Sequence, residues 1–265
     1  MAYETIEYTA DNGVAVITLN RPEARNAFTL TMYRELKSAF RTIEREKSIR
    51  AVIVTGNGKG FCSGQDLTEI TNSSGNMTVG DLLRNELNQV IIAMRTLEKP
   101  IIGAINGVAA GAGASFALAT DIRVMSADAS FVFAAFVNIG IIPDGGGTFL
   151  LPQLVGVSKA LELALLADAQ NRVSPEQAHH LGIVSRVVAS VGLMNEAHAL
   201  AQRFANMATL AVGRTKRTMY KAVERTLSDA LEYEAQLQEA MFQTHDFREG
   251  VNAFIEKRAP NFKGE

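Results

Sequence analysis

The sequence predicts an α/β fold, and three observations carry that prediction. Short β-branched apolar runs recur over the first two thirds of the chain. Segments with apolar residues at helical spacing lie between them. From about residue 192 the pattern becomes wholly helical, so an α/β core over 1–191 is expected to be followed by a helical unit over 192–265.

The elements follow in order. Gly13–Leu19 (GVAVITL) is apolar and β-branched, closed by Asn20-Arg21-Pro22, and reads as a strand. Leu30–Lys47 sets Met32, Leu36, Phe40 and Ile43 on one helical face. Arg50–Gly56, Lys99–Gly107 and Asp121–Ala127 read as buried strands, with a glycine- and alanine-rich helix, Ala112–Thr120, before the last of them. Ser174–Gly182 has the punctuation of a helix, with Ser174 as N-cap, Pro175 at the first position and Gly182 at the end. Ile183–Val188 reads as a further strand. Helical segments then fill residues 192–245. The polar stretch Asn72–Gly80 (NSSGNMTVG) is expected to be a mobile loop.

Composition excludes several classes. The 265 residues are 47% hydrophobic and 20% charged, ordinary for a soluble globular protein. A net charge of −2 offers no basic field for nucleic acid. A single cysteine, Cys62, excludes an intramolecular disulfide and fits a reducing compartment, as a packed and inert thiol. The N-terminus lacks a basic segment leading into an apolar one, and no run of ~20 apolar residues suggests a membrane span. A cytoplasmic protein is expected. No His/Cys/Asp/Glu cluster has metal-ligand spacing, so no metal is expected.

Three glycine-rich segments stand out: Gly58–Leu67 (GKGFCSGQDL), Asn106–Ile122 (NGVAAGAGASFALATDI) and Gly140–Thr148 (GIIPDGGGT). None has phosphate-loop spacing. The second is G-x-x-x-G-x-G and lies mid-chain, unlike a dinucleotide fingerprint on a first βα turn. Glycine and alanine at a helix start leave backbone N–H groups unobstructed. Two such groups from separate segments can converge on one carbonyl oxygen and stabilise it as an oxyanion. Asp144 is the one carboxylate in the apolar stretch 139–156. Two readings stay open for it: a helix N-cap before the glycines, or a catalytic base.

Six segments together resemble the crotonase superfamily of enoyl-CoA hydratases and isomerases. They are LNRPEARNAF, GFCSGQDL, NGVAAGAGASFALATDI, IPDGGGTFLLPQLVG, SPEQAHHLGIVSRVV and EGVNAFIEKRAPNFKG. The resemblance is nearest to isomerases that act on the ring epoxide of phenylacetyl-CoA and on unsaturated acyl-CoAs. It implies a ββα spiral core holding the active site and a C-terminal helical trimerisation unit, in a homotrimer or a dimer of trimers. The implied substrate is an acyl-CoA thioester. CoA belongs to that substrate, so no separate cofactor is expected.

By motif position, the resemblance implies the backbone N–H groups of Gln65 and Ala112 as the oxyanion hole. Ala24, Arg25, Ala27, Asp66, Leu67 and Lys263 would meet CoA, and Lys263 would reach that of a neighbouring subunit. Glu23 stands where many relatives carry lysine. Ser115 and Phe136 occupy the two positions at which hydratases place glutamates, so two-glutamate hydration is not expected. Ser115, Phe136 and Ile141 would line the substrate pocket. Asp144 matches a position where several isomerases place a catalytic aspartate. Dehalogenases of the superfamily add a tryptophan that this chain lacks. A serine-hydrolase reading of Ser115 would need one of His179, His180, His198 or His245, all late in the chain on expected helices.

The function expected is therefore an acyl-CoA isomerase that shifts a double bond or converts a ring epoxide to an oxepin, with Asp144 as base, in phenylacetate or fatty-acid catabolism. A hydratase working without the glutamate pair is the alternative within enzymes. A non-catalytic acyl-CoA or partner-binding protein is the alternative outside them.

Overall fold

The strands, in chain order, are β1 (Ile6–Asp11), β2 (Val14–Leu19), β3 (Ala51–Gly56), β4 (Gly60–Cys62), β5 (Ile101–Ile105), β6 (Val108–Ala110), β7 (Ile122–Ser126), β8 (Ser130–Val132) and β9 (Arg186–Val188). They come from a computed structural model that describes residues 3–72, 78–166 and 172–265. β1 and β2 make an antiparallel hairpin around Asn12-Gly13, both with positive φ, as a tight two-residue turn requires. The strand expected at Gly13 thus begins one residue later, and its partner β1 was not foreseen.

From β2 onward the large sheet is parallel, in the order β1-β2-β3-β5-β7-β9. Every residue of β3 and β5 is buried, as both faces of a covered parallel sheet must be. Alternation divides the strand between two layers. Val52 and Val54 join the main core with the helix Leu30–Arg45, whereas Ala51 and Ile53 face a second core completed by the helix Leu193–Ala205.

Soon after β3, β5 and β7 the chain enters a three-residue strand, and these strands pair in parallel as a second sheet, β4-β6-β8. Winding between two sheets in this way makes the expected ββα spiral. The helix Ala112–Leu118 follows β6 and is buried at all seven positions. It presses on β4 so closely that a Cβ on Gly113 would lie 2.3 Å from the Cys62 carbonyl oxygen. Only glycine fits there.

The last helices are Leu193–Ala205, Thr209–Ala222, Leu227–Met241 and His245–Glu256. The first packs on the large sheet. The second is anchored by Lys216, whose buried Nζ reaches Asp121 at 2.9 Å and the carbonyls of Met94 and Lys99, while the Tyr220 hydroxyl donates to the same aspartate. The final helix extends beyond the expected helical stretch. Its Asp246 carboxylate accepts the N–H groups of Lys263 and Gly264 at 2.7 Å each and so straps the tail. The expected helix at Ser174 is present as Pro175–His180, with the Ser174 hydroxyl accepting from Gln177 N–H. Within the expected mobile loop, residues 73–77 lie outside the described residues. Thr78 caps a short helix from Val79. Among the described residues no helix is long and apolar enough to cross a membrane.

Candidate active site

Gln65 lies in a single parallel bridge to Phe28. Phe28 N–H donates to the Gly64 carbonyl at 2.8 Å, and Asp66 N–H donates to the Phe28 carbonyl at 2.9 Å. With both flanking groups facing Phe28, the N–H of Gln65 points the other way. Ala112 opens its helix behind Gly111, whose φ is +53°. A Cβ on Gly64 would sit 3.4 Å from the Ala112 nitrogen, so the two segments run against each other. Among the described residues no backbone carbonyl takes the N–H of Gln65 or of Ala112.

The loop that carries Asp144 packs on the same helix. Gly145 and Gly146 have φ of +57° and +80°. Gly146 is the N-cap of the helix Gly147–Val155, and no side chain caps it. Asp144 meets this helix through its main-chain carbonyl, which accepts from Gly147 N–H at 3.0 Å. The N-cap reading of its side chain is therefore overturned. Instead Oδ1 is buried without a hydrogen-bond partner. Burial raises the carboxyl from 3.8 to about 6, against a smaller lowering by its own backbone N–H. Ile141 and Ile142 are themselves 48% and 80% exposed. The loop is seated by Gly145 and Gly147, where added Cβ atoms would meet Ser115 Cβ at 3.1 Å and Ser115 Oγ at 2.6 Å.

Beside this loop lies a cavity of about 330 Å³. Ser115 (3% exposed) and Phe136 (6% exposed) line it, as expected; Ile141 does not. Pro143 and Gly147, on either side of Asp144, contribute to one wall. The helix Val157–Leu165 closes another through Val157, Ala160 and Leu161. Nothing in the sequence marked that helix as part of a pocket.

Two further groups escaped the sequence reading. Tyr33 is fully buried, stacks on Phe28 with ring centroids 5.0 Å apart, and donates to Gln65 Oε1 at 2.7 Å. Burial pushes its phenol well up, and the nearby carboxylates of Asp144, Glu69 and Glu86 push in the same direction. Glu86, buried on a π-helical turn at Leu83–Leu87, pairs with Lys37 at 2.7 Å. A π-turn has no sequence period to reveal it.

The expected CoA contacts divide. Ala24, Arg25, Ala27, Asp66 and Leu67 share one neighbourhood, in which Arg21 pairs with Asp66 at 3.1 Å and donates to the Ala27 carbonyl at 2.8 Å. Arg25 is exposed, with a left-handed backbone at the end of a short turn. Lys263 is not in this group. Its tail is held by Asp246 and by Arg50, which starts the approach to β3, whereas Arg25 lies at the far end of that strand beside Gly60. The four histidines are exposed, while Ser115 is buried, so none of them pairs with Ser115. Cys62 is fully buried, donates to the Asn26 carbonyl and is pushed up to about 12, an inert thiol.

The arrangement combines a carboxylate with one buried, unpartnered oxygen, an apolar cavity beside its loop, and two backbone N–H groups on adjoining segments that no backbone carbonyl takes. That set can move a proton on an apolar acyl group whose carbonyl is polarised. Comparison with known proteins agrees in class. A 1,2-epoxyphenylacetyl-CoA isomerase of Escherichia coli (strain K12) is 40% identical over 96% of this chain and 97% of that protein. A protein named "Probable enoyl-CoA hydratase" in Rhodobacter capsulatus is 38% identical over the full length of both. The crystal structure of an enoyl-CoA hydratase from Bacillus anthracis superposes with a TM-score of 0.91 at 33% identity, over 99% of this chain and 100% of that one. The family model described as "Enoyl-CoA hydratase/isomerase" matches residues 9–265. With spiral, glycine segments and relatives in agreement over nearly its whole length, the chain belongs to the enoyl-CoA hydratase/isomerase family.

Proposed function

We propose that the chain is an acyl-CoA isomerase with Asp144 as its base. The observation that carries this reading is the unpartnered, buried Oδ1 of Asp144, raised to about 6, beside an apolar cavity. Ser115 and Phe136, where a glutamate pair would hold water, bring no carboxylate.

In this mechanism the CoA moiety follows the surface of Ala24, Arg25, Ala27, Asp66 and Leu67, and the acyl group enters the cavity. The N–H groups of Gln65 and Ala112 bind the thioester oxygen and acidify the α carbon. Asp144 takes the α proton of a 3-enoyl thioester, the electron pair delocalises into a dienolate, and the same proton or one from solvent returns at the γ carbon. The double bond moves without gain or loss of atoms. On the ring epoxide of an arylacetyl thioester, the same base and donors would promote expansion to an oxepin. The Escherichia coli relative favours that substrate. The working unit is a homotrimer or a dimer of trimers in the cytoplasm, with residues 1–191 carrying the active site. Residues 192–265 provide the assembly surface, and Lys263 reaches a neighbour's CoA.

The test follows a 3-enoyl-CoA by NMR in D₂O with wild type and Asp144→Asn. Wild type is expected to move the double bond and incorporate deuterium, while the variant binds and does neither. Water addition by wild type would favour the hydratase reading. Binding with neither exchange nor hydration, on the enoyl and the epoxide substrates alike, would leave a non-catalytic acyl-CoA binder.

A further inference from the structure

The backbone N–H of Gln65 is useful as a donor only if its peptide plane is fixed before substrate arrives. The bridge to Phe28 fixes the flanking atoms, through Gly64 O and Asp66 N–H. Gln65 is only half-buried, and water competes for a half-buried amide side chain. Two side-chain hydrogen bonds hold it. Its Nε2 donates to the Phe28 carbonyl at 3.1 Å, and its Oε1 accepts from the Tyr33 hydroxyl at 2.7 Å. Tyr33 is itself immobile, fully buried and stacked on Phe28. Phe28, Tyr33 and Gln65 thus form a closed loop: Phe28 holds Gln65 by main chain and by side chain, and the ring that stacks on Phe28 holds the other end of the amide. Burial, and to a smaller extent the neighbouring carboxylates, raise the Tyr33 phenol, so the hydroxyl stays protonated, which is the state that donates.

We propose that Tyr33 is a positioning residue, whose hydroxyl locks Gln65 so that its backbone N–H is aimed at the thioester oxygen. The proposal rests on the oxyanion role given to Gln65 above. Tyr33 touches no substrate; its effect passes through Gln65. Removing the hydroxyl leaves the stacked ring in place and frees Oε1 to rotate toward water. The carbonyl is then polarised less, with no change in how CoA is held. A small misplacement of a donor can cost up to ~100-fold in rate, and about tenfold is expected for a donor loosened but not lost.

The test uses the full-length protein and a 2-enoyl-CoA labelled with ¹³C at the thioester carbonyl. The carbonyl stretch of the bound thioester is read by infrared difference spectroscopy, beside kcat and KM for isomerisation. Wild type is expected to lower the stretch on binding. Tyr33→Phe is expected to lower it less, to reduce kcat about tenfold and to leave KM within a factor of two. Gln65→Leu, which removes the other partner, should do the same even if Tyr33→Phe does not fold. The double variant should be no worse than the poorer single one, because both break one lock. If Tyr33→Phe shows the wild-type shift, the proposal fails, whether or not kcat falls. If wild type leaves the carbonyl at its free frequency, the oxyanion reading itself fails and takes this one with it.

Discussion

A carboxyl that titrates near 6 instead of 3.8 is ionised at neutral pH against the preference of its surroundings. Two consequences follow for Asp144. The first is kinetic: a base works when deprotonated, so kcat/KM should rise with pH through about 6 and level off above it, falling about tenfold per unit below. A profile flat from pH 5 to 8 would remove Asp144 from proton transfer. The second is thermodynamic. With the folded pKa above the unfolded one, the native state binds the proton more tightly, so this group's contribution falls as pH rises from about 4 to about 6 and stays unfavourable above. The penalty at neutral pH is up to about 3 kcal/mol. Asp144→Asn should therefore raise the melting temperature at pH 7 and lose that advantage near pH 4, while isomerisation drops by 10²–10⁴. That Asp144 is a candidate for chemistry was legible from its isolation in an apolar, glycine-rich stretch. Whether it capped a helix was not, because three successive glycines offer the same conformational freedom, and the φ values of Gly145 and Gly146 decide which one turns the chain. Tyr33 was illegible for a different reason: on an apolar helix face a tyrosine looks like any core aromatic.

The elements that place the site were legible in proportion to their length. The runs that became β3 and β5 announced themselves as continuous apolar segments, because both faces of those strands are covered. Strands β4, β6 and β8 have three residues each, too few to show a period of two, yet they carry the chain between the two sheets. The helix Val157–Leu165 was not foreseen; its role as cavity wall depends on where the loop of Asp144 returns. That wall gives a prediction about acyl chain length. Ala160 is buried and lines the cavity, so Ala160→Phe should fill space now open to the far end of the acyl group. Each buried methylene is worth about 0.8 kcal/mol, so denying room to two or three costs roughly 2 kcal/mol, about thirtyfold in kcat/KM. The loss should fall on ten-carbon and aryl substrates and spare a six-carbon 3-enoyl thioester. Equal losses on short and long substrates would mean that the acyl group lies elsewhere.

At the scale of the molecule, the C-terminal helices leave apolar surface uncovered. The helix Leu227–Met241 buries none of its residues, and Leu227 and Phe254 are 76% and 85% exposed. A groove of about 830 Å³ lies among the last three helices, lined in part by Met219, Leu237, Met241 and Phe254. A fifteen-residue helix is marginal in water unless an apolar face is packed, and contiguous apolar surface of this kind marks an interface. Within the chain the anchor is polar and lies one helix away, at Lys216 and Asp121. The proposed occupant is a second copy of the same chain. Sedimentation should give a trimer or a hexamer, with a melting temperature that rises with protein concentration. Leu231→Asp with Phe254→Asp places two charges on the exposed face and should yield a monomer whose melting is independent of concentration. Because Lys263 lies far from its own chain's Arg25, a lysine that reaches the neighbour's CoA predicts more. The monomer should bind acyl-CoA weakly, with KM raised severalfold, and should keep most of kcat if the base, cavity and oxyanion donors belong to one chain. A monomeric wild type would sink the assembly reading, and a monomeric variant with unchanged KM would remove Lys263 from the substrate while leaving Asp144 in place.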